Sequence, residues 1–149
     1  MHIDDVEITC VRHELLKEIC EIEQESFSAP YPSYIIASIA SETPETFLVA
    51  TFKQSAIGYV LGSMRKDAGH ILSIAVKSDF RRRHVGSKLM AEILEVFFRK
   101  GVRRVELEVR ASNYSAQEFY RKIGFQANGL IKDYYRDGED AVKMSRDLT

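Results

Sequence analysis

Residues 69–110, GHILSIAVKSDFRRRHVGSKLMAEILEVFFRKGVRRVELEVR, decide how this chain folds. Gly69–Val76 is a short apolar run bounded by polar residues, the pattern of a buried strand. From Val85 to Lys100, Leu89, Ile93, Val96 and Phe97 recur at helical spacing, and Met90 and Leu94 widen the stripe. Gly101 then stands where a helix ends. From Arg103 the period changes to two: Val105, Leu107 and Val109 face one way, and Glu106, Glu108 and Arg110 the other. A strand, a helix and a second strand in this order predict a parallel, right-handed crossover.

The junction at 80–89, FRRRHVGSKL, is crowded with positive charge. A helix N-terminus already carries roughly half a positive elementary charge and several unpaired N–H groups. Arg81, Arg82, Arg83 and His84 add to it, which is unfavourable unless an anion sits there. The anion that fits most simply is a pyrophosphate. The competing reading fans the arginines into solvent or onto Asp79. The Walker pattern fails because Gly86 is followed by Ser87 before Lys88, and G-x-G-x-x-G is absent.

Working outward, VEITCV from Val6 reads as a strand. HELLKEICEIEQESF from His13 is helical, with Leu15, Leu16, Ile19, Ile22 and Phe27 on one face. SAPYPSY ends that helix, because proline cannot continue it, and a short helix follows over Ser33–Ser41. TFLVATF and AIGYVLGSM form a strand pair joined near Lys53–Ser55. Ala116, Phe119, Tyr120 and Ile123 mark a further helix, which Asn113 caps and Gly124 ends. Two last strands enclose a turn at Arg136-Asp137-Gly138. The order is strand, two helices, three strands, helix, strand, helix, two strands. It predicts one α/β (α+β) domain over 1–149, a mixed central sheet of about seven strands flanked by about four helices.

Composition narrows the partners. The chain has 149 residues, is 45% hydrophobic and 29% charged, and carries a net charge of −1. A dedicated nucleic-acid binder shows a basic excess, so the arginine cluster is local. No run of about 18 apolar residues is present to span a membrane, and MHIDDVEITC is no secretion signal. Cys10 and Cys20 match no metal or redox spacing and read as reduced thiols in a cytoplasmic protein.

The strand–helix junction matches R-x-x-G-x-G/A with one departure: Arg81 is first, Gly86 last, and His84 stands where a glycine is usual. In this it resembles the coenzyme A loop of the GNAT superfamily of N-acetyltransferases. LEVRASNYSAQEFYRKIGF, 107–125, and YYRDGEDAVKMSRDL, 134–148, are similar to segments of the RimI-like and Ard-type enzymes that acetylate protein amino termini. SFSAPYPSY, 26–34, resembles their peptide-binding loop more loosely.

The resemblance implies direct transfer from acetyl-CoA to a protein or peptide α-amine, without a metal. It places Glu108 as the base, with His70 as a second candidate that shares a strand face with Leu72, Ile74 and Val76. Tyr120 would protonate the leaving thiolate. Ile74, Ala75 and Val76 would hold the acetyl and pantetheine groups through their main chain. Arg81, Arg82, Arg83, His84, Val85, Gly86 and Ser87 would hold the pyrophosphate, and Asn113 would touch the cofactor. Phe27, Pro30 and Tyr31 would wall the peptide on one side, and Tyr134 and Tyr135 on the other. His84 is expected to be tolerated at the glycine position, with its side chain turned outward, and to add a pH-dependent phosphate contact. Each residue also has a plain structural reading: Glu108 on the polar side of a strand, Tyr120 in the core, Asn113 as a cap. Three alternatives stand beside this function: acetylation of lysine or small amines, a basic-patch nucleic-acid module, and an inactive CoA-binding regulator. A monomer or weak dimer is expected, with an auxiliary subunit or the ribosome left open as partner.

Overall fold

The computed structural model describes residues 1–149. Seven strands form one sheet in the order β1-β2-β3-β4-β5-β7-β6, with four α-helices on its two faces. The strands are β1 (Glu7–Cys10), β2 (Phe47–Phe52), β3 (Ser55–Arg65), β4 (Ala68–Val76), β5 (Arg104–Arg110), β6 (Gln126–Ile131) and β7 (Ala141–Asp147). The helices are α1 (Leu16–Ser26), α2 (Ser33–Glu42), α3 (Val85–Arg99) and α4 (Tyr114–Lys122). Every neighbouring pair is antiparallel except β4–β5, which α3 joins in the parallel crossover expected from 69–110.

The apolar stripes dictate the layers. Leu89, Met90, Ile93 and Phe97 of α3 pack with Val105, Leu107 and Val109 of β5, and Ala116, Phe119, Tyr120 and Ile123 around α4 join the same face. Ile19 and Ile22 of α1 and Ile36 of α2 cover the other face with Phe47, Tyr59 and Leu61. At Gly62 a Cβ would meet the Phe97 ring at 2.9 Å, so a bare backbone there lets α3 settle onto β3. The β2–β3 turn at Lys53-Gln54 has positive φ at both residues, +51° and +70°, which matches the strand twist.

Two irregularities shape the centre of the sheet. β4 and β5 pair only over Ala68–His70 with Arg104–Glu106, and beyond that they separate. β4 also carries a bulge: Leu61 faces Ser73 while Gly62 faces Ile71, leaving Leu72 as the extra residue. The bulge corrects the expected strand face. His70 does not share a face with Ile74 and Val76. Leu72 and Ala75 pack toward α1 and α2, and Ile74 and Val76 toward α3.

Candidate active site

Where β4 and β5 part, a cleft of about 430 Å³ opens between them. His70, Leu72 and Ile74 of β4 line one side and Glu108 and Arg110 of β5 the other. Asn113 and Tyr120 close it beneath, and Phe27, Tyr31, Tyr134 and Tyr135 surround its mouth.

His70 and Glu108 meet across the start of the split. His70 Nε2 lies 2.7 Å from Glu108 Oε1, and the Tyr134 hydroxyl donates to the same oxygen at 3.4 Å. The hydrogen bond from His70 holds the Glu108 carboxyl below the usual carboxylate range, against the opposing effect of burial. Glu108 is therefore ionised at neutral pH. His70 Nδ1 has no protein partner.

The Tyr120 ring stacks edge-on against Phe119 and Phe125, with centroids 5.3 and 6.0 Å away. Burial, with a smaller contribution from Tyr135, pushes its phenol pKa up, so the hydroxyl stays protonated through the working pH range. Asn113 is the cap its position predicts: Oδ1 accepts from Ala116 N–H at 3.1 Å. It also lines the cleft, so its two readings coexist.

Beyond β4 the chain passes through residues 77–84 into α3. The first α3 bond runs from Lys88 N–H to His84 C=O, and the N–H groups of residues 82–87 donate to no protein acceptor. Arg82 and His84 have φ of +61° and +68°. His84 thus stands in the left-handed region, which is uncommon for a residue other than glycine. Gly86 has a packing reason of its own: a Cβ there would stand 3.3 Å from the Phe119 ring. Arg81 already has protein partners. Its Nε donates to Val76 C=O at 2.8 Å and a terminal nitrogen to Ser26 Oγ at 3.3 Å, so it ties α1 to the end of β4. Arg82 and Arg83 stay exposed.

The other expected contacts sort themselves by backbone alternation. Lys77 N–H bonds Ile57 C=O, so Ala75 turns its peptide groups toward β3, and Ile74 and Val76 turn theirs toward the split. Val76 C=O is taken by Arg81. Of the three, only Ile74 lines the cleft, and Ala75 is buried toward α1. At the mouth, Pro30 shapes the α1–α2 loop but does not line the cleft, unlike Phe27 and Tyr31.

Two functional-site residues escaped the sequence reading. Glu23 is 2% exposed at the cleft floor, bonded to the hydroxyls of Tyr59 and Ser73. Its signal was present: it falls one turn after Ile19 on the apolar stripe of α1. Arg110 donates to Asp137 and Glu139, each at 2.9 Å, and its guanidinium lies 4.1 Å over the Tyr135 ring. It fastens the β6–β7 loop to β5.

Comparison with known proteins fits this geometry. The acetyltransferase (GNAT) family model matches residues 16–125. The chain is 39% identical over 130 residues to an uncharacterized N-acetyltransferase of Methanocaldococcus jannaschii, covering 87% of this chain and 83% of that one. It is 33% identical over 148 residues to the N-alpha-acetyltransferase of Sulfolobus acidocaldarius, covering 89% and 87%. Ard1 from Thermoplasma volcanium superposes with a TM-score of 0.93 at 32% identity, covering 97% of this chain and 99% of that one. A split β4–β5 pair, a loop of free N–H groups opening α3, and these matches lead to one conclusion: the chain belongs to the acetyltransferase (GNAT) family.

Proposed function

We propose that the chain transfers the acetyl group of acetyl-CoA to the α-amine of protein or peptide amino termini. The observation that carries this reading is the His70–Glu108 pair at 2.7 Å, set across a cleft whose mouth is rimmed by Phe27, Tyr31, Tyr134 and Tyr135. Relatives whose names state α-amine acetylation support it.

The chemistry asks little of the base. An α-amine has a pKa near 7.7–8.0 and a lysine near 10.4, so at neutral pH the α-amine is a few hundred times more often uncharged. Glu108 and His70 act as one unit. With Nε2–H donating to Glu108, the imidazole presents Nδ1 as acceptor for the amine proton, and the carboxylate stabilises the imidazolium that results. The amine nitrogen bonds to the acetyl carbon, the carbon–sulfur bond breaks, and the thiolate takes a proton from the Tyr120 hydroxyl. The N–H groups facing the split from Ile74 and Val76 lie along the β4 edge, suited to hold the acetyl and pantetheine groups. The free N–H groups of residues 82–87, with Arg82, Arg83 and His84, suit the pyrophosphate. Asn113 adds an amide donor.

We further propose that the enzyme works in the cytoplasm as a monomer or weak dimer, with an auxiliary subunit or the ribosome left open as partner. No helix is long and apolar enough to cross a membrane. The test is mass spectrometry of peptides incubated with acetyl-CoA: free termini starting with Met, Ser, Ala and Glu, and a blocked peptide with an internal lysine. Acetylation of free termini is expected. Modification of the internal lysine alone overturns the reading.

A further inference from the structure

Glu23 has no place in the acetyl transfer itself, yet it is the most completely buried carboxylate in the molecule, at 2% exposure. All its partners are neutral donors on three different elements. Oε1 accepts from the Tyr59 hydroxyl of β3 and, at 2.8 Å, from the Ser73 hydroxyl of β4. Oε2 accepts from the Tyr31 N–H at 2.9 Å, in the loop between α1 and α2. A carboxylate this deep is costly unless its lone pairs are satisfied, and here they are spent on joining the loop to the sheet.

The loop has little else to hold it. Among residues 28–31, the Tyr31 N–H is the one main-chain group with a hydrogen bond. Pro30 and Pro32 have no N–H to offer. Ser73 immediately follows the bulged Leu72, three residues from His70. Glu23 therefore spans from the segment of β4 that sets the His70 ring to the loop that carries Phe27 and Tyr31.

We infer that Glu23 is a positioning residue for the acceptor: it fixes the Tyr31 side of the cleft relative to the His70–Glu108 pair. This rests on the proposed α-amine acetylation. Glu23 holds the acceptor side of the cleft through Tyr31 and Ser73, while the coenzyme A loop stands on other bonds. Its loss should accordingly fall on one substrate and spare the other.

The test combines amide hydrogen exchange by NMR in the substrate-free protein with steady-state kinetics. In the wild type, the Tyr31 amide is expected to exchange at least about tenfold more slowly than those of Ser28 and Ala29. In Glu23→Ala that protection is lost, the KM for peptide rises about tenfold, and the KM for acetyl-CoA stays within about twofold, as expected for one lost hydrogen bond to a charged acceptor. In Glu23→Gln both readouts return close to wild type. The amide oxygen can accept from Tyr31 N–H, and its NH₂ can donate to the hydroxyls of Tyr59 and Ser73. Equal exchange at Tyr31, Ser28 and Ala29 in the wild type overturns the inference without any variant, even if Glu23→Ala does not fold. So does a Glu23→Gln enzyme as impaired as Glu23→Ala, or a KM for peptide that does not move. A wild type that acetylates no α-amine defeats the proposed function instead, and leaves the exchange result to be judged alone.

Discussion

Replacing Tyr120 by Phe separates chemistry from packing more sharply than any other single change in the cleft. The ring is held by edge-on contacts with Phe119 and Phe125, which phenylalanine keeps. The hydroxyl has no protein hydrogen-bond partner to lose. Folding stability should therefore change by less than about 0.5 kcal/mol, and the melting temperature of a chain this long by about 2 °C or less. As general acid, the phenol would protonate a leaving thiolate whose ordinary pKa is near 8.5. General acid–base groups typically contribute 10²–10⁴-fold. Burial raises the Tyr120 pKa and makes it a weaker acid, so the low end applies: kcat should fall about 10²-fold. The KM for acetyl-CoA should hardly move, since the ring still forms the same wall. The assay is thiol release from acetyl-CoA at saturating peptide, with melting curves on the same samples. Undiminished kcat with an intact fold removes Tyr120 as the acid and leaves it a core aromatic. A fall in kcat with an equal loss of thermal stability also refutes the argument, because the hydroxyl then supports the fold as well as the chemistry.

Other residues give independent checks. Glu108→Gln should depress kcat/KM most at low pH, where least amine is free and His70 most needs its carboxylate; a pH–rate profile that overlays wild type removes Glu108 from proton transfer. His84→Gly should keep or slightly raise the melting temperature, because φ is already +68° and left-handed backbone costs a non-glycine residue about 1 kcal/mol. The same variant should raise the acetyl-CoA KM at pH 5.5 but not at pH 8, and equal values at both pH settings dispose of the phosphate contact. Glu139, held by Ser112 and Arg110, has its pKa lowered to about 2. A depressed folded pKa gives stability that is complete above the unfolded value near 4.3 and is lost as pH falls toward about 2. Melting curves of Glu139→Gln should thus lose part of the acid limb below pH 4.5, and parallel curves for variant and wild type would show that the Arg110 latch contributes nothing.

The sequence and the structure agree wherever one period decides an element. The stripe of Leu89, Ile93 and Phe97, and the alternation of Val105, Leu107 and Val109, each bury one face, and burial is what period encodes. The start of α3 at Val85 was legible in the same way, but the left-handed backbone of His84 was not, because it follows from the chain having to turn there. What period cannot encode is a break in itself. One extra residue in β4 moves Ile74 and Val76 to the face opposite the one a strict alternation gives them, and a bulge leaves no mark in composition. Arg81 has contacts that its charge alone does not announce. Its charge suggested phosphate, but a guanidinium can equally satisfy the orphaned Val76 carbonyl, and only the splay of β4 from β5 creates that orphan. The split is thus what shapes the site. It frees the β4 edge, brings His70 beside Glu108, and leaves a rim that Arg81, Glu23 and Arg110 tether from three different elements. Two of those tethers hold the aromatic residues at the mouth, one on each side. If the aromatic mouth receives the acceptor, substitutions at Glu23 or Arg110 should raise the KM for peptide before they lower kcat, and steady-state kinetics with a panel of peptide ends checks this.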